Sequence, residues 1–367
     1  MPVPDPVNNH RPTTARLDAD LLLASGGWEE ALDLYDSLLA SAGNDPRQWA
    51  ELLRGRAEAL CRLYRGGDAM APAAEAAELF DALGSSADAA WARYWLSGAH
   101  LLADDPGGSR AILLQLLAAD RAGLEVAPDF RFRILVQLGN TEAWDGQPER
   151  ALTYMEEARS LVGGMSQTQK AAFLGGLALQ YRRVGDLEGS IRVGEECVAF
   201  YRKAGAEQEQ AAVQINLALN FIDLGNTTRA EALLREARVL ADRHDERLGL
   251  SQVAEAEARL ALARGDAATT IERAAAALAA AESGGSYLAA VGAHRTLARL
   301  AIRGAEWTEA EARFKAAAAP LREHRARALL RDLLAEWADM RSGAGDPKGA
   351  SDLYAEALGR GVRGSSA

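Results

Sequence analysis

Apolar residues return along this chain with helical spacing, in blocks of about four turns separated by short polar turns. Trp28, Ala31, Tyr35 and Leu38 fall on one face, the arrangement of a half-buried amphipathic helix. After Pro148 the same face is rebuilt by Ala151, Met155 and Ala158. The stretch from Val136 to Ala158 holds a complete unit: a helix through Leu138-Gly139-Asn140, a tight turn at Gly146, and a second helix opened by Pro148. The unit recurs about every 40 residues, marked by Gly26, Gly67, Gly107, Gly146, Gly185, Gly225, Gly265, Gly304 and Gly345. Glycine suits the left-handed position that ends a helix. Asp68, Asp186, Asn226, Asp266 and Asp346 are placed to cap the helix that follows. Pro148 and Pro347 suit a first helical position, where no N–H is required.

Fixed spacing at this length predicts an all-α solenoid of about nine antiparallel helix pairs. The expected organisation is one array over residues 13–360, between a Pro- and Asn-rich leader (1–12) expected to be disordered and a flexible Gly/Ser tail (361–367). The core is expected to be uneven. Ile271–Ala281 and Ala316–Ala319 offer almost only alanine, and each missing methylene forgoes ~0.8 kcal/mol of burial. Pairs seven and eight are therefore expected to be thinner-cored than pairs four to six. No polar capping helix follows Tyr354 and Leu358, which makes that end a candidate homodimer surface.

Composition narrows the partners. The chain has 49% hydrophobic and 25% charged residues and a net charge of −11. That balance argues against nonspecific nucleic-acid binding, which relies on Lys and Arg at phosphates, and against an anionic membrane surface. No apolar run approaches the ~20 residues that span a bilayer. The N-terminus lacks the basic and apolar segments of a signal peptide, so a cytoplasmic protein is the default. Cys61 and Cys197 are far apart and read as small buried residues.

The turn and the residues around it resemble the tetratricopeptide repeat. Leu138-Gly139-Asn140 matches its first helix, and Tyr181 and Phe221 stand at the aromatic place before the turn. Trp307-Ala310-Phe314-Ala317 and Ala350-Tyr354-Ala357 match its second helix. That family's usual period is about 34 residues. The longer unit here is similar to the sensor arms of large bacterial transcriptional activators. The resemblance implies a right-handed superhelix whose first helices line a concave groove that holds a peptide or a protein tail. The positions it implies at that groove are Arg133, Gln137, Asn140, Gly175, Gly176, Arg183, Ile215 and Asn216.

Each candidate carries two readings. Gly175 and Gly176 sit inside a predicted helix, at ~1 kcal/mol each relative to alanine, and either clear space for a ligand or let a neighbouring helix approach. Asn140 and Asn216 both donate and accept, as a peptide backbone or carboxylate requires; Asn220 reads as a structural bond between helices. Arg133 and Arg183 supply charge-assisted bonds to an acidic group or lie solvated. Trp91, Tyr94 and Trp95 read as core, with an aromatic pocket as the alternative. No phosphate loop, metal spacing or nucleophile motif is present, so no catalytic residue, metal or cofactor is expected. The function expected is a scaffold for a protein or peptide partner. The alternatives are a ligand-responsive regulator hinged at pair seven, and an enzyme assembled in the groove.

Overall fold

The computed structural model describes residues 14–244, 246–324 and 326–358; the expected leader and tail lie outside them. The described residues form eighteen α-helices and no strand. They fall into two compact units, Met1–Gly163 and Gly164–Ala367. The first contains α1 (Thr14–Ser25), α2 (Trp28–Ser41), α3 (Pro46–Arg62), α4 (Gly66–Ala82), α5 (Ser86–Leu102), α6 (Pro106–Arg121), α7 (Phe130–Trp144) and α8 (Pro148–Arg159). The second contains α9 (Gln167–Arg183), α10 (Leu187–Ala204), α11 (Glu207–Asp223), α12 (Thr227–Arg243) and α13 (Arg247–Arg264). It continues with α14 (Ala267–Glu282), α15 (Tyr287–Arg303), α16 (Trp307–Glu323), α17 (Arg327–Gly343) and α18 (Pro347–Ala357).

Within each unit an odd-numbered helix packs along the even-numbered helix that follows it. The odd-numbered helices also touch one another across pairs, α3 with α5 in the first unit and α11 with α13 and α13 with α15 in the second. Helices that crowd on one side and spread on the other make a curved stack, so the odd-numbered helices form the inner layer of each unit.

The pair boundaries are built by caps and bends. Side chains of Asp186, Asn226, Asp266 and Asp346 accept the backbone N–H three residues on, as expected, and Asp45 and Asp105 cap α3 and α6. Asp68 does not cap; it lies in the first turn of α4, paired with Arg65. Gly26, Gly146, Gly185, Gly225, Gly265 and Gly345 adopt the left-handed conformation. Three pairs depart from the expected glycines. Tyr64, Asp104 and Ala305 take the left-handed position at φ 58°, 67° and 56°, while Gly67 and Gly107 lie inside α4 and α6 and Gly304 keeps a negative φ. A side chain in this conformation costs of order 1–2 kcal/mol.

The core confirms one expectation about thinness and corrects the other. In pair seven, α14 buries only Thr270, Ala274 and Ala277, and the local cluster is Ala254, Ala258, Ala274, Ala277 and Ala293. Of its two large apolar residues, Ile271 is 54% exposed and Leu278 only partly buried. Pair eight is not thin: α15 and α16 contribute Val291, Phe314 and Leu321 to a cluster completed by Leu333, Leu334, Trp337 and Met340. The Phe314 and Trp337 rings stack at 6.1 Å and 8°. At the far end, Tyr354 and Leu358 are exposed as anticipated, and the Tyr354 hydroxyl is bonded to Asp339.

Candidate functional site

The seven expected site residues divide between the units. Arg133, Gln137 and Asn140 lie on α7 in the first; Gly175, Gly176, Arg183 and Asn216 lie on α9 and α11 in the second. Ile215, also implied at the groove, is buried in the core of the second unit. Its neighbour Asn216 is the exposed member of that pair.

In the first unit, Arg133, Gln137 and Asn140 line a pocket of about 360 Å³ together with Tyr94 and Trp95 from α5 and Arg62 from α3. Trp91, Tyr94, Trp95 and Phe130 meet edge to face or tilted, with Trp91–Phe130 centroids at 4.9 Å and Tyr94–Trp95 at 5.2 Å. The group is thus both core and pocket wall. Arg133 lies over the Trp91 ring at 5.5 Å and Arg62 over Trp95 at 5.2 Å. Arg133 also pairs with Asp129 at 2.6 Å, and Gln137 Nε2 donates to Ser97 Oγ at 3.1 Å. In the pocket wall, burial pushes the Cys61 thiol up to about 12, helped by Glu58, which keeps it protonated at neutral pH.

In the second unit, Gly175 and Asn216 share a hollow of about 110 Å³ with Leu179, Arg182 and Val213. Gly176 is half-buried and Arg183 exposed, and neither lines it. A Cβ on Gly175 would stand 3.7 Å from Cys197 Sγ, an ordinary contact. The packing reading therefore fails at Gly175. It holds at Gly194 on α10, where a Cβ would come within 2.7 Å of Leu217. Asn220 is structural, as expected: its Nδ2 donates to Ser190 Oγ at 2.8 Å and its Oδ1 accepts from Arg182.

Beside this hollow the inner layer carries charges that the sequence reading did not single out. Arg182 reaches from α9 to Asp223 on α11 at 2.5 Å, and Arg259 on α13 meets the same carboxylate at 3.4 Å. Arg299 on α15 donates to Glu336 on α17 at 2.5 and 3.1 Å, and Arg295 joins it through Nε. Burial pushes the Glu336 carboxyl up, but the bonds from both arginines outweigh it and hold the group below its ordinary value. The partners are 36, 37 or 41 positions apart, one repeat period, and that is the signal through which the sequence could have revealed them. Among these groups Glu255 on α13 differs. It is 8% exposed, and among the described residues the arginines around it act on it through space, with no side-chain hydrogen bond. Burial raises its carboxyl above the ordinary range, against the opposing pull of Arg259, Arg295, Arg299 and Arg182.

A second crevice, about 390 Å³ between α12, α13 and α14, is open and lined by ion pairs of the chain itself, Arg238–Glu257 at 2.6 Å and Arg264–Glu231 at 2.8 Å. Among the described residues no cluster of three or more His, Cys, Asp or Glu could hold a metal ion. Nor is any described helix long and apolar enough to cross a membrane.

No protein-family model matches the chain, and no curated protein matches it in sequence. Solved structures do resemble it in shape. Aspartyl phosphate phosphatase F from Bacillus subtilis superposes with a TM-score of 0.60 at 10% identity, over 96% of each chain. The apo form of the quorum sensor NprR from B. thuringiensis gives 0.56 at 14%, covering 94% of this chain and 86% of that one. A Rap protein complexed with Competence and Sporulation Factor gives 0.52 at 14%, covering 86% and 98%. At these identities the likeness is one of fold.

Proposed function

We propose, for a chain whose fold is of the tetratricopeptide-repeat type, that it is a peptide- or protein-binding module acting through its inner layer of helices. The observation that carries the reading is Gly175. Glycine inside a helix costs ~1 kcal/mol relative to alanine, and here no neighbour demands it. What its missing side chain leaves is the hollow edged by Leu179 and Asn216, an apolar wall and an amide that can grip a peptide backbone. Gly176 and Arg183 lie on the same helix, outside the hollow. In the first unit, Arg133, Gln137 and Asn140 form a second candidate surface beside the aromatic pocket. Two of the similar structures are a quorum sensor and a Rap protein holding a factor, which agrees with a sensor or adaptor. The reading is of a binding protein rather than an enzyme, working in the cytoplasm.

Panning a phage-displayed library of random linear peptides against the intact protein tests this. Convergent sequences are expected, with binding abolished by Gly175→Leu and weakened roughly fivefold by Asn216→Ala, about one hydrogen bond. Asn140→Ala reports separately on the first unit. Absence of convergence, or peptides indifferent to all three variants, would overturn the proposal.

A second reading, a regulator whose curvature responds to its ligand, is favoured by the all-alanine cluster of pair seven. Small-angle scattering that changes on addition of the selected peptide would support it.

A further inference from the structure

We propose that the inner face of the second unit takes the carboxylate of a peptide ligand onto Arg295, Arg299 and Arg259, with the Glu255 carboxyl group beneath it. The proposal rests on the reading of this layer as the binding face and names the chemistry of its ligand.

Three observations lead there. First, the inter-repeat pairs account for Asp223 and Glu336 but leave Glu255 without a partner, although it is more than nine-tenths buried. Second, the place is shaped for it. Glu255 lies against Gly292 of α15, where a Cβ would come within 2.5 Å of Glu255 Oε1. Third, the arginines have donors to spare. A guanidinium carries five N–H donors; Arg295 spends only its Nε on Glu336, and Arg295 and Arg299 remain 39% and 38% exposed.

The charge balance selects an anion. Around Glu255 stand Arg259 on its own helix, Arg182 from α9, and Arg295 and Arg299 from α15. Asp223 of α11 and Glu336 of α17 lie beyond them, bonded to those arginines. On the opposite side of α13, Arg238 of α12 and Arg273 of α14 engage Glu257 instead. A cationic ligand group would meet four guanidiniums. A carboxylate meets them favourably and, with Glu255 protonated, gains an O–H donor as well. Because burial already raises the Glu255 carboxyl, an incoming anion raises it further, and binding takes up a proton. Affinity then weakens as pH rises above the Glu255 value in the free protein, by up to about tenfold per pH unit.

Calorimetry with unlabelled peptides on the intact protein, at low salt from pH 5.5 to 8.5, tests the proposal. Two probes share the chemistry: an acetylated and amidated alanine peptide carrying three glutamates, and an acetylated peptide with uncharged side chains and a free C-terminal carboxylate. Binding of the first alone assigns a side-chain carboxylate, of the second alone a chain end. The lysine counterpart is expected not to bind. Glu255→Gln, which mimics the protonated acid, is expected to keep binding and abolish its pH dependence. Arg295→Gln/Arg299→Gln is expected to weaken binding at least about tenfold, with an intact thermal transition as the folding check. Preference for the lysine peptide, with its loss in Glu255→Gln, would overturn the proposal, as would an unchanged pH profile in that variant. If neither acidic probe binds while panned peptides still depend on Asn216, the ligand class is wrong and the binding face stands. If panning also fails, the face itself is wrong.

Discussion

Two neighbouring parts of the second unit are made of the same helical hairpin and bury different things. Between α13, α14 and α15 the contact is alanine on alanine, with Leu278 and Leu297 only partly covered. Between α15 and α18 it is Phe314, Trp337, Leu321 and Met340. The difference shows that hairpin geometry and local stability have separate causes. Turn and cap set the geometry in both. The side-chain volume shut away from water sets the stability, and the alanine stack has little of it. The same small residues let α13 and α15 approach until Glu255 lies over Gly292, so the part of the unit with the thinnest core also holds its unpartnered carboxylate.

The largest test of this contrast is Phe314→Ala. The residue is fully buried, and its removal is expected to cost about 3–5 kcal/mol, measured by denaturant unfolding. A loss no greater than that of a surface substitution would remove the distinction. Next in size is hydrogen exchange. Amides of α14 are expected to exchange by local opening well before those of α16, and equal protection would mean that alanine contacts hold as firmly as aromatic ones. The smallest effect concerns glycine. Gly175→Ala is expected to stabilise the protein by about 0.5–1 kcal/mol, because the helix gains and nothing is struck; Gly194→Ala, striking Leu217, is expected to destabilise it. If both destabilise, Gly175 is a packing residue after all.

The sequence displayed those features that the backbone itself demands. Caps at Asp186, Asn226, Asp266 and Asp346 and bends at Gly146, Gly185 and Gly225 are local requirements of the chain. They were readable for that reason. The thinness of α14 was readable from composition; that of pair eight was misread, because Phe314 finds Trp337 on the next pair and no local pattern announces a partner in another repeat. The site was legible only in part. Gly175 and Asn216 stood out and do share a hollow. Ile215, beside Asn216, faces inward because a helix turns about 100° per residue and places consecutive side chains on different faces. Glu255 and its arginines look on paper like any charged helix surface. Only stacking reveals that one of these carboxylates is largely buried while no side chain pairs with it.

Tyr64, Asp104 and Ala305 bend the chain as glycine does elsewhere, each with a side chain in the way. Their bends are imposed by the helices on either side rather than written into the turn. Such a chain is free to drift letter by letter wherever the flanking pairs hold the path. The path of the chain is then kept by its packing, whatever residue stands at the turn.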